Sequence, residues 1–406
     1  MTHNYEILNL DTVVDYLARQ PNLANRINLN ALASVTEIGD GNLNLVFRIK
    51  DEEGKSIILK QALPYVRMTG EGWPMTPTRA EHEAHSLKVH HNLMPELVVN
   101  VLQFDPDQFV IVMEDLFDHR VWRTVLNEGG VTNGVANKLG AYVAQVAFHT
   151  SMLGQDRGEV AKEIAHTQNP EICTITEDLV FTEPVVDAGR NVVLPENEVD
   201  ARELSADPVF HLAMARAKWK FMTEAQALIH GDLHTGSVMV KVEGDEAVSV
   251  KAFDSEFAFY GPIGYDLGAL FANYVFAAAR AGVQGDTDRM DWALGLIRDT
   301  WTAFAEEFAH LNQENMSPQL WNEVFVRDLL QSLFSDMQLF GLAKMSRRIV
   351  GAAKVTDIET LEPSIRAHAA RGVLHAARSL AGSYRRDRTI EEVVAEVRDR
   401  LVQAIS

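Results

Sequence analysis

The stretch IHGDLHTGSVMVKVEGDEAVSVKAFDSEFAFY, residues 229–260, decides how the rest of the chain reads. It opens with His230-Gly231-Asp232-Leu233-His234 and carries a second acidic group, Asp254-Ser255-Glu256, twenty-two residues after Asp232. Between the two groups, strand-like runs flank the turn EGDE. A hairpin built this way places Asp232 ahead of one strand and the carboxylate pair just past the other, so all three acids converge at one end. Phosphoryl transfer needs such an arrangement. One carboxylate orients an acceptor hydroxyl and takes its proton, while others hold a Mg²⁺ that bridges phosphates. A lone HGD is more often an aspartate capping a turn, so the remaining parts have to be found elsewhere.

They occur upstream, in order. Residues 33–39, 44–50 and 56–62 read as three strands, and Gly54 supplies the positive φ for the second connection. Gly39-Asp40-Gly41-Asn42 lies in the first connection, where backbone N–H groups can cover phosphates. Lys60 lies near the end of the third strand, and Glu81 or Glu83 on a helix predicted over 79–93 could hold it. Two further strands are expected at 97–103 and 108–114, the last ending in Met113-Glu114-Asp115, where a connector can offer backbone groups to an adenine edge. The first thirty residues read as short helical pieces, with Asp11 as a cap. Downstream the balance shifts to helix, over 132–153, over 208–229 and from 265 onward. Residues 155–205 read as an acidic excursion with one short strand around Cys173. The expected fold is α+β and bilobal, with an antiparallel-sheet lobe over 1–115 and a mainly helical lobe over 116–406.

This order of motifs resembles the protein-kinase-like fold in its small-molecule branch, which contains the aminoglycoside and choline kinases. More closely it resembles the methylthioribose kinases of methionine salvage, through GDGNLNLVF (39–47), GWPMTPTRAEHEAH (72–85), ICTITEDLVFTEP (172–184), IHGDLHTGSVMV (229–240), FDSEFAFYGPIGYDLGALFANY (253–274) and MSRRIVGAAKVTDIE (345–359). The resemblance implies ATP-dependent phosphorylation of the anomeric 1-hydroxyl of methylthioribose, a Mg²⁺ requirement and a homodimer. It makes Asp232 the catalytic base and a substrate contact, and Asp254 and Glu256 the metal ligands, with Ser255 between them at the nucleotide. Asn42 or Asn44 and Lys60 would contact ATP, and Met113, Glu114, Asp115 and Leu116 would form the adenine hinge. Arg347 or Arg348 would contact the sugar, Trp73 would close over it, and Glu83 and His230 would be structural. One departure stands out. Related kinases place a metal-binding asparagine five residues after the base, where this chain has Ser237, so Glu256 is expected to take over that role.

Composition sets the outer limits. Lysine and arginine number 37 against 57 aspartate and glutamate, a net charge of −20 with pI near 5.1. That surface disfavours nucleic acid, whose affinity comes largely from phosphate neutralisation, and requires any ATP site to be made locally positive. One cysteine, Cys173, excludes an intrachain disulfide and an all-cysteine zinc cluster. The opening MTHNYEILNLDTVVDYLARQ lacks the basic and apolar regions of a secretory signal, and no run reaches the roughly 18 apolar residues of a membrane span. A cytoplasmic protein is expected. The rival readings are another alcohol kinase of the same fold, of choline, homoserine or aminoglycoside type, and a kinase-shaped scaffold without turnover.

Overall fold

A computed structural model describes residues 5–23, 25–38, 43–65, 67, 72, 74–315 and 320–405. Five antiparallel strands, β1 (Leu32–Glu37), β2 (Asn44–Asp51), β3 (Ser56–Ala62), β4 (Val101–Asp105) and β5 (Val110–Glu114), form one sheet in the order β1-β2-β3-β5-β4. The period-2 alternation of β3 sorts its side chains between two environments. Ile57 and Leu59 join Phe47, Ile49, Val110 and Val112 on the face covered by the helix Val13–Ala18, through Val13, Tyr16 and Leu17. Ala62, with Ile111 and Met113 of β5, belongs to the other face and the large central core. Lys60, opposite Val46 and Ile111 in register, shares that second face and so meets the helix Arg79–Leu93.

Beyond Glu114, short strands frame the decisive hairpin. β6 (Arg120–Val121), β8 (Val238–Glu243) and β9 (Glu246–Ala252) form a sheet in the order β6-β8-β9, and β7 (Ala227–Ile229) pairs with β10 (Phe259–Gly261). The rest is helical: Val135–Thr150, Gly264–Val283, Thr287–Asn315, Glu323–Val350, Pro363–Ala381 and Ile390–Ile405 are the main elements. Two of these, Gly264–Val283 and Glu323–Val350, cross where Gly268 meets Gly341. A Cβ on Gly268 would lie 2.7 Å from the Gly341 nitrogen and 2.9 Å from the Met337 carbonyl, so only glycine allows the approach. No helix among the described residues is long and apolar enough to cross a membrane.

Several local expectations change. Residues 155–205, all among the described residues, hold helical pieces and no strand: Arg157–His166, Pro170–Thr176, a π-helical turn Glu177–Thr182, a 3-10 turn Pro195–Asn197 and Glu198–Ala206, with an irregular stretch over 183–194. Cys173 sits on the second of these, where Pro170 pre-sets the first helical turn and Cys173 itself packs against the large central core. The 208–229 segment divides into the helix Pro208–Thr223 and β7. Thr12, not Asp11, precedes the first helix, and the Asn9 side chain accepts from the Asp11 and Thr12 backbone N–H groups. His90 is a core residue, accepting from the Tyr142 hydroxyl at 2.8 Å and donating to the Leu228 carbonyl at 2.9 Å.

Candidate active site

The loop after β7 is folded by its own sequence. Gly231 has φ +80, and a Cβ there would fall 2.0 Å from the Phe257 carbonyl oxygen. Asp266, buried in the first turn of Gly264–Val283, accepts the His230 and Gly231 backbone N–H groups at 2.8 and 3.0 Å. His230 donates through Nε2 to the Phe253 carbonyl at 3.0 Å, joining the loop to the end of β9. Ser237 closes the loop by donating to the Asp232 carbonyl at 2.8 Å and accepting from the His234 N–H at 2.9 Å. Its hydroxyl is thereby committed to the turn.

Asp232 is gripped on both oxygens. Lys344 Nζ donates to Oδ1 at 2.9 Å, and His234 Nε2 lies 3.2 Å from Oδ2. His234 Nδ1 accepts from the Gly236 N–H at 3.0 Å, which puts its ring proton on Nε2, facing the carboxylate. Burial lowers His234 to about 4, keeping the ring neutral. Burial alone would raise the Asp232 carboxyl, but Lys344, His234 and Arg348 outweigh it and hold Asp232 well below the usual range. It therefore stands ionised at neutral pH, with its oxygens available as acceptors.

From β3, Lys60 Nζ donates to Glu83 at 2.8 Å and also contacts Asp254 Oδ1. Glu83 rather than Glu81 holds the lysine, because position 83 is on the buried stripe of its helix. Burial would lower the Lys60 ammonium, yet the surrounding carboxylates of Asp254, Glu83 and Glu256 keep it above its ordinary value. Asp254 adopts a left-handed backbone at φ +68, a conformation costly for a residue with a Cβ. Its side chain is 42% exposed, the most open carboxylate of the group. Glu256 is more enclosed, its Oε2 taking Arg79 Nε at 3.2 Å and Asn44 Nδ2 at 2.9 Å. Asp254 and Glu256 fit a magnesium ion in donor chemistry, since both are hard oxygen ligands and Mg²⁺ takes most of its shell from water and phosphates. Among the described residues no group of three or more His, Cys, Asp or Glu could hold a metal without such help.

The whole length of the chain has close counterparts. It is 37% identical over 405 residues to a methylthioribose kinase of Pectobacterium atrosepticum, spanning 97% of this chain and 98% of that one. A methylthioribose kinase of Klebsiella pneumoniae is 38% identical over 394 residues, 95% and 98% of the two chains. One of Yersinia pseudotuberculosis is 40% identical over 342 residues, 82% of each. The chain belongs to the methylthioribose kinase family. Residues 154–306 also match the phosphotransferase enzyme family. Among solved structures, an ethanolamine kinase from Plasmodium vivax aligns at a TM-score of 0.44 with 12% identity, over 97% of this chain and 86% of that one. A choline kinase from Cryptosporidium parvum aligns at 0.46 with 9% identity, over 98% and 94%.

Within this methylthioribose kinase family member, the site residues expected from sequence occupy unequal places. Asn42 and Trp73 lie outside the described residues. Asn44 is buried, donating to Glu256 and accepting from Arg79 at 2.9 Å, so its amide serves the interior. Ser255 likewise turns inward, its hydroxyl 2.7 Å from that of Ser86. Met113 is buried in the core, while Glu114 accepts the Asn100 N–H at 2.8 Å and Asp115 pairs with Arg48 at 3.0 Å. Leu116 is buried beside them, its carbonyl taking the His119 N–H at 3.0 Å. The two arginines separate clearly. Arg348 donates to the Lys354 carbonyl at 3.3 Å and stands near buried Asp357. Arg347 has Nε and Nη1 buried without a hydrogen-bond partner, close to Asp232 and Tyr265.

Three residues escaped the sequence reading. Lys344 precedes Arg347 and Arg348 by three and four positions, which places it on their side of the helix. Arg79 stands four residues before Glu83 and is fully buried, donating to the carbonyls of Leu63, Thr76 and Leu43 as well as to Asn44 and Glu256. Asp266 lies inside the quoted segment GYDLGALFANY. Helical spacing was the available signal for the first two; nothing local marks the third.

Proposed function

We propose that this protein transfers the γ-phosphoryl group of ATP to the anomeric 1-hydroxyl of S-methyl-5-thio-D-ribose, giving the 1-phosphate and ADP, as a cytoplasmic enzyme of methionine salvage. The observation that carries the reading is identity to methylthioribose kinases along nearly the entire chain. The geometry gives it a route. Asp232, ionised and gripped, accepts the proton as the hydroxyl oxygen bonds to the γ-phosphorus and the bond to the bridging oxygen of ADP breaks. Lys60 binds the α- and β-phosphates, and the backbone of residues 113–116 receives adenine. In the same reading Asn42 contacts ATP and Trp73 closes over the sugar. Arg347 is the arginine that reads the sugar or the moving phosphoryl group, since its Nε and Nη1 are buried without a partner and Asp232 lies near enough to act on it electrostatically. Asp254 and Glu256 would hold Mg²⁺, which when bound neutralises charge on the phosphates.

The reading divides the chain into a nucleotide-holding lobe over 1–115 and a lobe over 116–406 that carries base and substrate groups. It also includes a homodimer, supported by exposed Val209, Leu212, Trp219 and Met222 along one side of Pro208–Thr223.

The test is ADP release with ³¹P detection of product, run separately with methylthioribose, ribose, choline, homoserine and an aminoglycoside. Turnover with methylthioribose alone, giving an anomeric phosphate, is expected. Turnover with a different alcohol would replace the substrate but keep the fold, and ATP binding without any turnover would favour a scaffold. Asp232→Asn should leave ATP binding nearly intact while kcat falls roughly 10²–10⁴-fold, the usual worth of a positioned general base.

A further inference from the structure

We propose that Lys344 is a positioning residue for phosphoryl transfer, its ammonium clamped over the Tyr265 ring so that it aims the Asp232 carboxylate and sets a fixed positive charge beside it. The inference rests on the reading of Asp232 as the base. Its own support is geometric. Nζ lies 2.9 Å from Asp232 Oδ1 and 4.5 Å from the centroid of the Tyr265 ring, and the lysine side chain is 6% exposed. A flexible four-carbon stem would ordinarily leave the ammonium free to wander. Here the aromatic face fixes it, and the ring itself is wedged against Phe221 and Phe340 at centroid distances of 5.0 and 5.4 Å.

The placement has a cause in the fold. Lys344 follows Gly341 by three residues, and Tyr265 and Asp266 precede Gly268 by three and two. The close glycine crossing therefore registers one helix, bearing the clamp's ammonium, against another bearing its aromatic floor and the acceptor that shapes the Asp232 loop. His234 takes the opposite carboxylate oxygen from inside the loop itself. An aspartate χ2 is broad and two-fold, so two donors from independent elements fix an angle that neither fixes alone. A buried ion pair is weak evidence of stabilisation. Positioning accounts for keeping it here, because reactive geometry is sensitive to displacements of about 1 Å.

The experiment compares Lys344→Met, Lys344→Arg and Lys344→Ala with the unaltered enzyme, measuring kcat, KM for each substrate, equilibrium ATP binding and thermal melting. Lys344→Met should lower kcat by roughly 10²-fold with both KM values within about threefold, the pattern of lost orientation rather than lost binding. Lys344→Arg should retain about a tenth or more of kcat by keeping a cation at the position. Added ethylamine should restore Lys344→Ala by about tenfold or more and leave Lys344→Met unchanged, whose side chain fills the space. Should Lys344→Met fail to fold, the arginine and amine-rescue arms decide. A folded Lys344→Ala enzyme indifferent to ethylamine, or a Lys344→Met kcat within twofold of normal, overturns the proposal. Asp232→Asn separates the two readings. If that variant is inactive while Lys344→Met is normal, only the lysine's role falls; if it turns over fully, the base assignment falls first.

Discussion

Arg79 carries more of the site than its place in a polar helix suggests. Its guanidinium is fully buried and reaches three carbonyls, one amide and one carboxylate, tying the start of the Arg79–Leu93 helix to β2 and to Glu256 beyond the decisive hairpin. Arginine suits this position because a rigid planar fork can serve several acceptors at once, which an ammonium on a mobile stem cannot. Removing one partner of a buried charge pair leaves the other uncompensated, at a cost of about 3–5 kcal/mol. Arg79→Met should therefore destabilise the protein by that amount in chemical denaturation and also weaken Mg²⁺ dependence by freeing Glu256. The double variant Arg79→Met with Glu256→Gln should recover much of the stability, since no charge is then stranded. Equal losses in the single and double variants would show that the pair itself matters little. At this scale the acids and Lys60 stand out in the sequence because their order is a pattern along the chain, and the structure brings Lys60, Glu83 and Asp254 into contact. Arg79 and Lys344 leave only helical spacing as a signal, because their contacts form where distant segments meet.

The elements were legible wherever hydrophobic period and turn chemistry agreed. β3 and the helix Arg79–Leu93 match the ranges read from sequence, while the 155–205 region was misread because acids, threonines and the prolines Pro170, Pro184 and Pro195 mask a series of short helical pieces. Such helices lack the length to show a clear period, and their packing partners lie elsewhere in the chain. One element carries a titration that can be observed. His90, on the Arg79–Leu93 helix, is fully buried between Tyr142 and Leu228, and burial lowers its pKa to about 3 from 6.5. The unfolded chain binds a proton below pH 6.5 that the folded protein refuses. Stability from this residue is thus complete above pH 6.5 and is lost as pH falls toward 3, at up to about 1.4 kcal/mol per pH unit. Other groups titrate in the same range, so the contribution is isolated by comparison: His90→Gln should be less stable at pH 7.5 but should lose less on going to pH 5 than the unaltered protein. Parallel stability curves for the two would show that His90 is not the group responsible.

At the scale of the molecule, the sheet and the helices are not separate cores. Ala84, Leu87, Ile111 and Met113 from the sheet side belong to one apolar cluster with Trp122, Leu139, Phe210 and Leu270, whereas the face of the sheet covered by Val13–Ala18 has a smaller cluster of its own. Ion pairs cross the same junction, from Lys60 to Asp254 and from Arg79 to Glu256. The bilobal class was legible in the order of strands and helices, but this continuity was not, because it depends on which face of each element turns inward. Its consequence is cooperative: the sheet cannot melt away from the helices without exposing the core they share. A chain of this length would often unfold in steps. Here the near-ultraviolet and far-ultraviolet signals should move together through one main transition in denaturant. Saturating ATP with Mg²⁺ should displace that whole transition, by about 2.7 kcal/mol at a hundredfold excess over Kd. If ligand shifted only one of two resolved transitions, the sheet and helices would be independent folding units, and the shared core would contribute little to holding the two sides of the cleft in place.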